Sequence, residues 1–483
     1  MPLPTIPSGN VASATASTTY TVDNSCRFNT ADSARMAITF GGAGTSSRIA
    51  TFSFWFKRSN LTVDEELLYR ISDDSGNYFN IAFSSTDTWK IKQSISSVNL
   101  EFVSNAVYRD PSAWMHLLVV FDTTQATEGN RVKIYVNGTQ VTSWSTSTYP
   151  SQDTDMLFGT ANINSIATSG AANCFGGYLA EVCYCDGQAL TTTDFGEFDE
   201  DSPTIWKPKD VSGLTFGDNG FYLDFGDSAD LGADVSGNSN DLTPTNLDAT
   251  DQATDTPTNN FCTMNPLDNY YFDGTFSQGN CHLVSDASTQ AYVTGTLGMT
   301  AGKWYWEIEF DARSIADYDY SRIGFAGIMA DDASAGFAGL GSQAHNYAYY
   351  GINGYGYYSG SGADLGTTYT VGDIISVALD LTNGKVYYAK NGTWVNSGDP
   401  ESGATGTGAQ TVLAASTTPI GAYLPALNQV DNTSTGTWKC NFGGCSAFTV
   451  SSANQDADGY GNFEYAVPSG YYALCTKNLA EYG

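Results

Sequence analysis

The stretch VGDIISVALDLTNGKVYYAKNGTW, residues 371–394, holds two Asn-Gly pairs eight residues apart. Ile375, Val377, Leu379 and Leu381 fall on one side of an extended chain, with Ile374, Ser376, Ala378 and Asp380 on the other. That is the period of two of a half-buried strand. Asn383-Gly384 offers two residues that take up positive φ cheaply, as a two-residue hairpin loop demands. Val386 to Ala389 reads as the return strand, and Asn391-Gly392 turns the chain again before Trp394. The stretch predicts an antiparallel meander and carries no catalytic constellation.

The same pattern recurs across the 483 residues. IATFSFWFKR (49–58) sets Phe52, Phe54 and Phe56 on one face, WMHLLVVFD (114–122) reads as a buried strand, and RVKIYVNGTQV (131–141) turns at Asn137-Gly138. Helical periodicity is nearly absent, while Gly (50), Tyr (30) and Phe (25) are abundant. The fold class expected is all-β, as two concatenated antiparallel β-sandwiches preceded by an extended N-terminal arm.

Domain limits follow composition. Residues 1–25, rich in Pro, Ser, Thr and Ala, read as an arm or attachment segment. Residues 26–200 make the first sandwich. Residues 201–262 are an acidic connector in which FYLDF (221–225) is a candidate late strand of the first domain. The second sandwich covers 263–448, and 449–483 form a closing segment.

A formal net charge of −31 argues against nucleic acid as a partner, since phosphate binding needs clustered Lys and Arg. Membrane insertion is not expected, because no apolar run approaches the roughly 20 residues of a span. The start MPLPTIPSGN lacks the basic and apolar regions of a signal peptide. The nine cysteines show no zinc spacing, and two readings stay open: buried free thiols, or a Cys440–Cys445 pair across a tight turn.

Three sets of residues are candidates for chemistry. Glu307 and Glu309 in YWEIEFDA share a strand face at the spacing a glycosidase carboxylate pair could use, although exposed strand carboxylates are the plainer reading. Asn454, Asp456 and Asp458, followed by Gly459, resemble the start of a calcium loop, but position twelve is Tyr465 and not Glu. Calcium is thus the one cofactor considered, with the Asp-rich turns at Asp73, Asp74 and at Asp153, Asp155 as weaker sites. Third, NYAYYGINGYGYYSG (346–360) holds six tyrosines, half of them expected to face inward. Tyrosine gives rigid contact area with a polar tip. Loops around Asp317 to Tyr320, Tyr347 to Tyr358 and Trp394 are therefore the expected recognition surface, with Tyr320, Tyr355, Tyr357 and Trp394 as ligand-binding residues.

GKWYWEIEF, IGFAGI, the opening stretch and KCNFG, in that order, resemble the SPRY domain family. WMHLLVVFD, VKIYVNGTQV and GGYLAEVCYCDGQAL are similar to laminin-G-like, concanavalin-type jelly rolls. The series GQALTTTDFGEF, IWKPK, GFYLDF, DVSGNSNDLTP, TMNPLD and PSGYYALCTKNL resembles large structural proteins of tailed bacteriophages. These resemblances imply a non-enzymatic virion protein, assembled in the host cytoplasm without secretion. It would be a tail fibre or appendage that recognises a host-surface glycan or protein. Its implied partners are other virion proteins, met through the N-terminal arm, and further copies of itself in a homo-oligomer. The alternatives are a purely structural capsid decoration or head fibre, and a glycan-cleaving virion enzyme.

Overall fold

The computed structural model describes residues 20–73, 75–167, 173–270, 274–286, 292–316, 319–329, 339–430 and 433–483. The described residues divide into two compact units, meeting in sequence at Thr258 and Asn259, with 111–113 counted in the second.

The first unit is a pair of eight-stranded antiparallel sheets. One runs from Thr139–Gln140 through Val132–Val136, Met115–Asp122, Ile49–Arg58, Gly177–Asp186 and Ser25–Phe28 to Gln252–Ala253. Phe221–Leu223 is added beside Gly177–Asp186. The other runs from Trp144–Thr148 through Ser97–Val107, Thr88–Ile95, Tyr78–Phe83, Glu66–Ser72, Ile163–Ile166 and Arg35–Thr39 to Thr243–Thr245. Phe52, Phe54 and Phe56 lie in one core with Phe79, Phe121 and Tyr184, and the Phe52 and Tyr184 rings stack at 4.8 Å. At Asn137-Gly138 both residues have positive φ, 47° and 72°, the geometry an Asn-Gly hairpin favours.

Two of the expected limits change here. Ser25 is already paired with Ala253, and Val22 is buried, so the first domain begins inside the segment read as an arm. Residues 1–19 of that arm lie outside the described residues. Nor is 201–258 a connector. Its strands Trp206–Pro208, Phe221–Leu223, Thr243–Thr245 and Gln252–Ala253 all pair within the first unit. Asp255 closes it, taking the Lys57 ammonium at 2.7 Å and the Trp114 indole N–H at 2.8 Å in a site almost free of solvent. Acidic composition hid this segment because its short strands are anchored by carboxylate-to-backbone turns, such as Asp234 accepting from the Tyr222 and Ser236 amides.

In the second unit a seven-stranded sheet runs Met264–Tyr270, Tyr292–Gly295, Leu424–Gln429, Ser321–Ala326, Asn346–Tyr350, Tyr355–Tyr358, Ser361–Asp364. The facing nine-stranded sheet is built on Gly436–Asn441, Lys303–Arg313, Ile374–Asp380 and Lys385–Lys390. Ile375, Val377 and Leu379 enter the core between them, with Trp304, Trp306 and Trp438. The Asn391-Gly392 turn has positive φ at both residues, 48° and 75°. Asn383-Gly384 does not form the two-residue loop expected. Asp380 pairs with Lys385, leaving a four-residue loop, and only Gly384 has positive φ. The cause is the Asp380 carboxylate, which accepts both the backbone and side-chain amides of Asn383. All nine cysteines are buried and outside any disulfide, so Cys440 and Cys445 are not bridged.

The closing segment roofs the outer side of the nine-stranded sheet. Tyr472–Ala473 pairs in parallel with Lys303–Arg313, and the chain ends in the helix Thr476–Tyr482. Phe463, Tyr471, Ala473 and Cys475 form a second apolar layer on Tyr305, Ala378 and Tyr387.

Candidate functional site

Strand alternation sorts the tyrosines of 346–360. In Asn346–Tyr350, Tyr347 and Tyr349 point into the core, so Ala348 and Tyr350 point out. Tyr357 is paired with Ala348 and therefore also faces out, while Tyr358 turns in and stacks on Tyr347 at 4.6 Å. Tyr355, two residues earlier, shares the face of Tyr357. Three of the six tyrosines face out.

The neighbouring strand Ser321–Ala326 places Arg322 directly opposite Tyr350. Its guanidinium carbon lies 4.5 Å from the Tyr350 ring centre and 4.6 Å from that of Tyr357, so the cation sits between two rings. Nη1 donates to the Leu340 carbonyl at 2.7 Å, and Leu340 N–H donates to Asn428 Oδ1 at 2.9 Å. Burial is the main influence on Arg322 and lowers its pKa from the usual arginine value. Tyr320 extends the row with its ring 6.4 Å from Tyr350, and Tyr355 extends it the other way, 6.3 Å from Tyr357. Asn353 Nδ2 donates to the Tyr357 hydroxyl at 2.9 Å and its Oδ1 accepts the Tyr355 N–H. The result is a stiff aromatic row on a sheet face, with Tyr320, Tyr355 and Tyr357 partly exposed around a buried Arg322 and Tyr350. Such a surface stacks on sugars or on protein side chains at low entropic cost.

The structure thus gathers Tyr320, Tyr355 and Tyr357 and adds Arg322 and Tyr350. Trp394 is elsewhere: it pairs with Ala389 at the edge of the nine-stranded sheet and packs against Tyr387 beneath the closing segment. Asp317, in the remaining expected loop, lies outside the described residues. Arg322 escaped the sequence reading because it looks like an ordinary outward residue between Ser321 and Ile323. Only strand register places it among the tyrosines.

Glu307 is not an exposed strand carboxylate. It is fully buried, and its oxygens accept from Tyr465 N–H (2.8 Å), Tyr305 hydroxyl (2.8 Å), Glu464 N–H (2.9 Å) and Asn441 Nδ2 (3.3 Å). Burial pushes its pKa up, against these donors. Glu309, half-exposed, faces Lys439 at 3.8 Å. The two carboxylates on one strand face therefore have different tasks, and the closing segment covers the first.

Asn454, Asp456 and Asp458 do not form a cation cradle. Asp456 accepts from Asp458 and Tyr460 N–H at Oδ1, and from Ala473 N–H and Asn478 Nδ2 at Oδ2. Asn454 is turned to the carbonyls of Phe463 and Glu464. Asp153 and Asp155 face Arg48, Asp73 accepts from the Ser75 and Asn77 amides, and Asp74 lies outside the described residues. Among the described residues no His, Cys, Asp and Glu group is placed to hold a metal. Among the described residues Ser277 Oγ contacts His282 Nδ1 at 2.7 Å, and a second Ser–His contact joins Ser53 Oγ to His116 Nε2 at 2.8 Å. The second is sealed in the first core, with Trp206 donating to His116 Nδ1 where a catalytic acid would stand. Burial lowers the His116 pKa to about 3, so the ring is neutral.

Residues 31–194 match the family described as the concanavalin A-like lectin/glucanases superfamily, and residues 303–402 match the SPRY domain. The chain carries a concanavalin A-like domain followed by a SPRY domain. Among curated proteins, Ran-binding protein 9 of Danio rerio is 30% identical over 101 residues, 20% of this chain and 16% of that protein. Ran-binding protein 9 of Homo sapiens is 30% identical over 101 residues, 13% of its length. The chain thus spans less than a fifth of these relatives. Among solved structures, the SPRY domain of human HERC1 covers 38% of this chain and 99% of its own, at 13% identity and a TM-score of 0.29. A SAP-like pentraxin of Limulus polyphemus covers 35% and 79%, at 13% identity and a TM-score of 0.27.

Proposed function

We propose that the protein is a non-enzymatic virion component of a tailed bacteriophage. In this reading it is a tail fibre or appendage subunit that recognises a host-surface glycan or protein with its SPRY domain. The observation that carries the binding role is the row on one sheet face in which Tyr320, Tyr355 and Tyr357 are partly exposed and are held by the buried pair Arg322 and Tyr350. Both domain families are chiefly binding folds, and a fold supports a function only through such a site. The virion setting is supported by the run of phage-like stretches from GQALTTTDFGEF to PSGYYALCTKNL.

The test uses purified protein to compete with phage for adsorption to host cells, comparing wild type with Tyr355→Ala and the Tyr355→Ala, Tyr357→Ala pair. Each anchor removed at a binding hot spot weakens competition by roughly 2 kcal/mol, about thirtyfold. Wild-type protein that never competes overturns the recognition role. Folded variants that compete as well as wild type move the recognition surface off this face.

A further inference from the structure

The second unit has a separate concavity at the rim of its roofed sheet. It is a groove of about 330 Å³ lined chiefly by Trp394, Asp399, Pro400, Glu401, Val467 and Pro468. Residues 466–468 come from the closing segment, beyond the stretch that matches the SPRY family. We infer that this groove binds a neutral or amino-substituted pyranose unit of a glycan.

The lining is held in place by the fold. The Trp394 ring stands edge-on to Tyr387 at 6.5 Å, and the Pro400 carbonyl accepts the Tyr471 hydroxyl at 3.2 Å. Each carboxylate is fixed through one oxygen: Asp399 Oδ1 accepts the Glu401 N–H, and Glu401 Oε1 accepts the Ser469 N–H, both at 3.0 Å. Among the described residues, Asp399 Oδ2, Glu401 Oε2 and the Trp394 indole N–H have no protein partner. An aromatic platform, two fixed acceptors and one free donor match the face and hydroxyls of a pyranose. A lysine or arginine side chain would satisfy the carboxylates but offers no acceptor for the indole N–H. A uronic or sialic acid would bring its own carboxylate against Asp399 and Glu401, and like charges repel.

The experiment is saturation-transfer NMR on the full chain with the methyl pyranosides of glucose, galactose, glucosamine, N-acetylglucosamine and glucuronic acid. At least one neutral or amino pyranoside shows transfer, and the glucuronide shows none. Trp394→Ala weakens binding at least about tenfold. Because Trp394 also packs on Tyr387, a second variant, Ala466→Trp, fills the groove from an exposed position and abolishes binding with the fold intact. No transfer from any neutral or amino sugar, equal transfer from the glucuronide, or binding that survives Ala466→Trp each overturns the inference. So does binding of a lysine-rich peptide in place of every sugar. The groove is read by loss of sugar binding in Ala466→Trp and the tyrosine face by host-cell competition, so failure here and failure of the tyrosine-face reading are told apart.

Discussion

Replacing Glu307 by Gln preserves side-chain shape and removes one charge, which makes it a clean probe of how the closing segment is held. Oε1 of Glu307 accepts from Tyr465 N–H and the Tyr305 hydroxyl, and Oε2 from Glu464 N–H and Asn441 Nδ2. A carboxamide keeps one accepting oxygen and turns its NH2 toward a backbone N–H whichever way it sits. One buried donor of the closing segment is then unsatisfied, a cost of about 1–3 kcal/mol. The relief of burying no charge offsets part of this, since burial already raises the Glu307 pKa. A net loss of about 2 kcal/mol is expected, lowering the second domain's Tm by roughly 4–8 °C. Amide hydrogen exchange read by mass spectrometry on peptides covering Glu464 and Tyr465 should speed up by a factor of about thirty if the segment opens locally. Glu309→Gln, which only loosens a half-exposed contact with Lys439, should change stability by less than about 1 kcal/mol. Unchanged exchange at Glu464 and Tyr465 in a folded Glu307→Gln protein would refute the latch. Equal effects of the two substitutions would refute the division of roles.

Three further outcomes are expected. Lys57→Met leaves the Asp255 carboxylate buried without its cation and should destabilise the first domain by about 3–5 kcal/mol, seen as a Tm fall on the order of 10 °C in calorimetry. Glu181 is pushed up to about 7, chiefly by burial and further by Asp224 and Asp210, against hydroxyl donation from Tyr20 and Tyr222. The native state therefore holds a proton between about pH 4.5 and 7 that the unfolded chain has released, so this contribution is full below pH 4.5 and falls as pH rises through 7. Glu66 is also pushed up to about 7 by burial and adds a decline of its own. Urea titrations across that range should therefore show a fall in Glu181→Gln that is smaller than in wild type by on the order of 3 kcal/mol, and parallel profiles would contradict it. Deleting residues 1–25 removes the Ser25 pairing with Ala253 and the buried Val22, and should lower the first domain's Tm in calorimetry.

Much of the fold was readable because alternation reports which face of a strand is buried. Ile375, Val377 and Leu379, and Phe52, Phe54 and Phe56, went where their spacing put them. Alternation does not report what covers the other face. Glu307 and Glu309 stand on one face as read, but the amides that bury Glu307 lie 157 and 158 residues later. The Asn383-Gly384 turn failed for a local reason, since Asp380 competes for the Asn383 amides and opens the loop. The calcium-like run failed because Asp456 is matched by donors in 458–478, which a motif of alternating oxygens cannot anticipate. Tyr320, Tyr355 and Tyr357 were picked out by composition, while Arg322, which joins them, needed the register of two strands.

The two sheets of the second domain expose their outer sides differently, and that bears on where a ligand can sit. The nine-stranded sheet turns Tyr305, Glu307, Ala378 and Tyr387 outward, and the closing segment covers them with Phe463, Tyr471, Ala473 and Cys475. That side is committed to packing, and at its rim Trp394, Pro400 and Pro468 line a concavity. On the seven-stranded sheet, Ala326, Ala348, Ala426 and Tyr292 pack under Leu340, and Arg322, bonded to the Leu340 carbonyl, leads from that patch to Tyr350, Tyr357 and Tyr355 on the same face. Tyr355 and Tyr357 remain partly exposed there, while Tyr350 is buried. Arg322 is buried between the Tyr350 and Tyr357 rings, so it stiffens the row and presents little charge to solvent. Under the proposed recognition role, contact on this face falls to the partly exposed Tyr320, Tyr355 and Tyr357, which the buried Arg322 and Tyr350 hold in place.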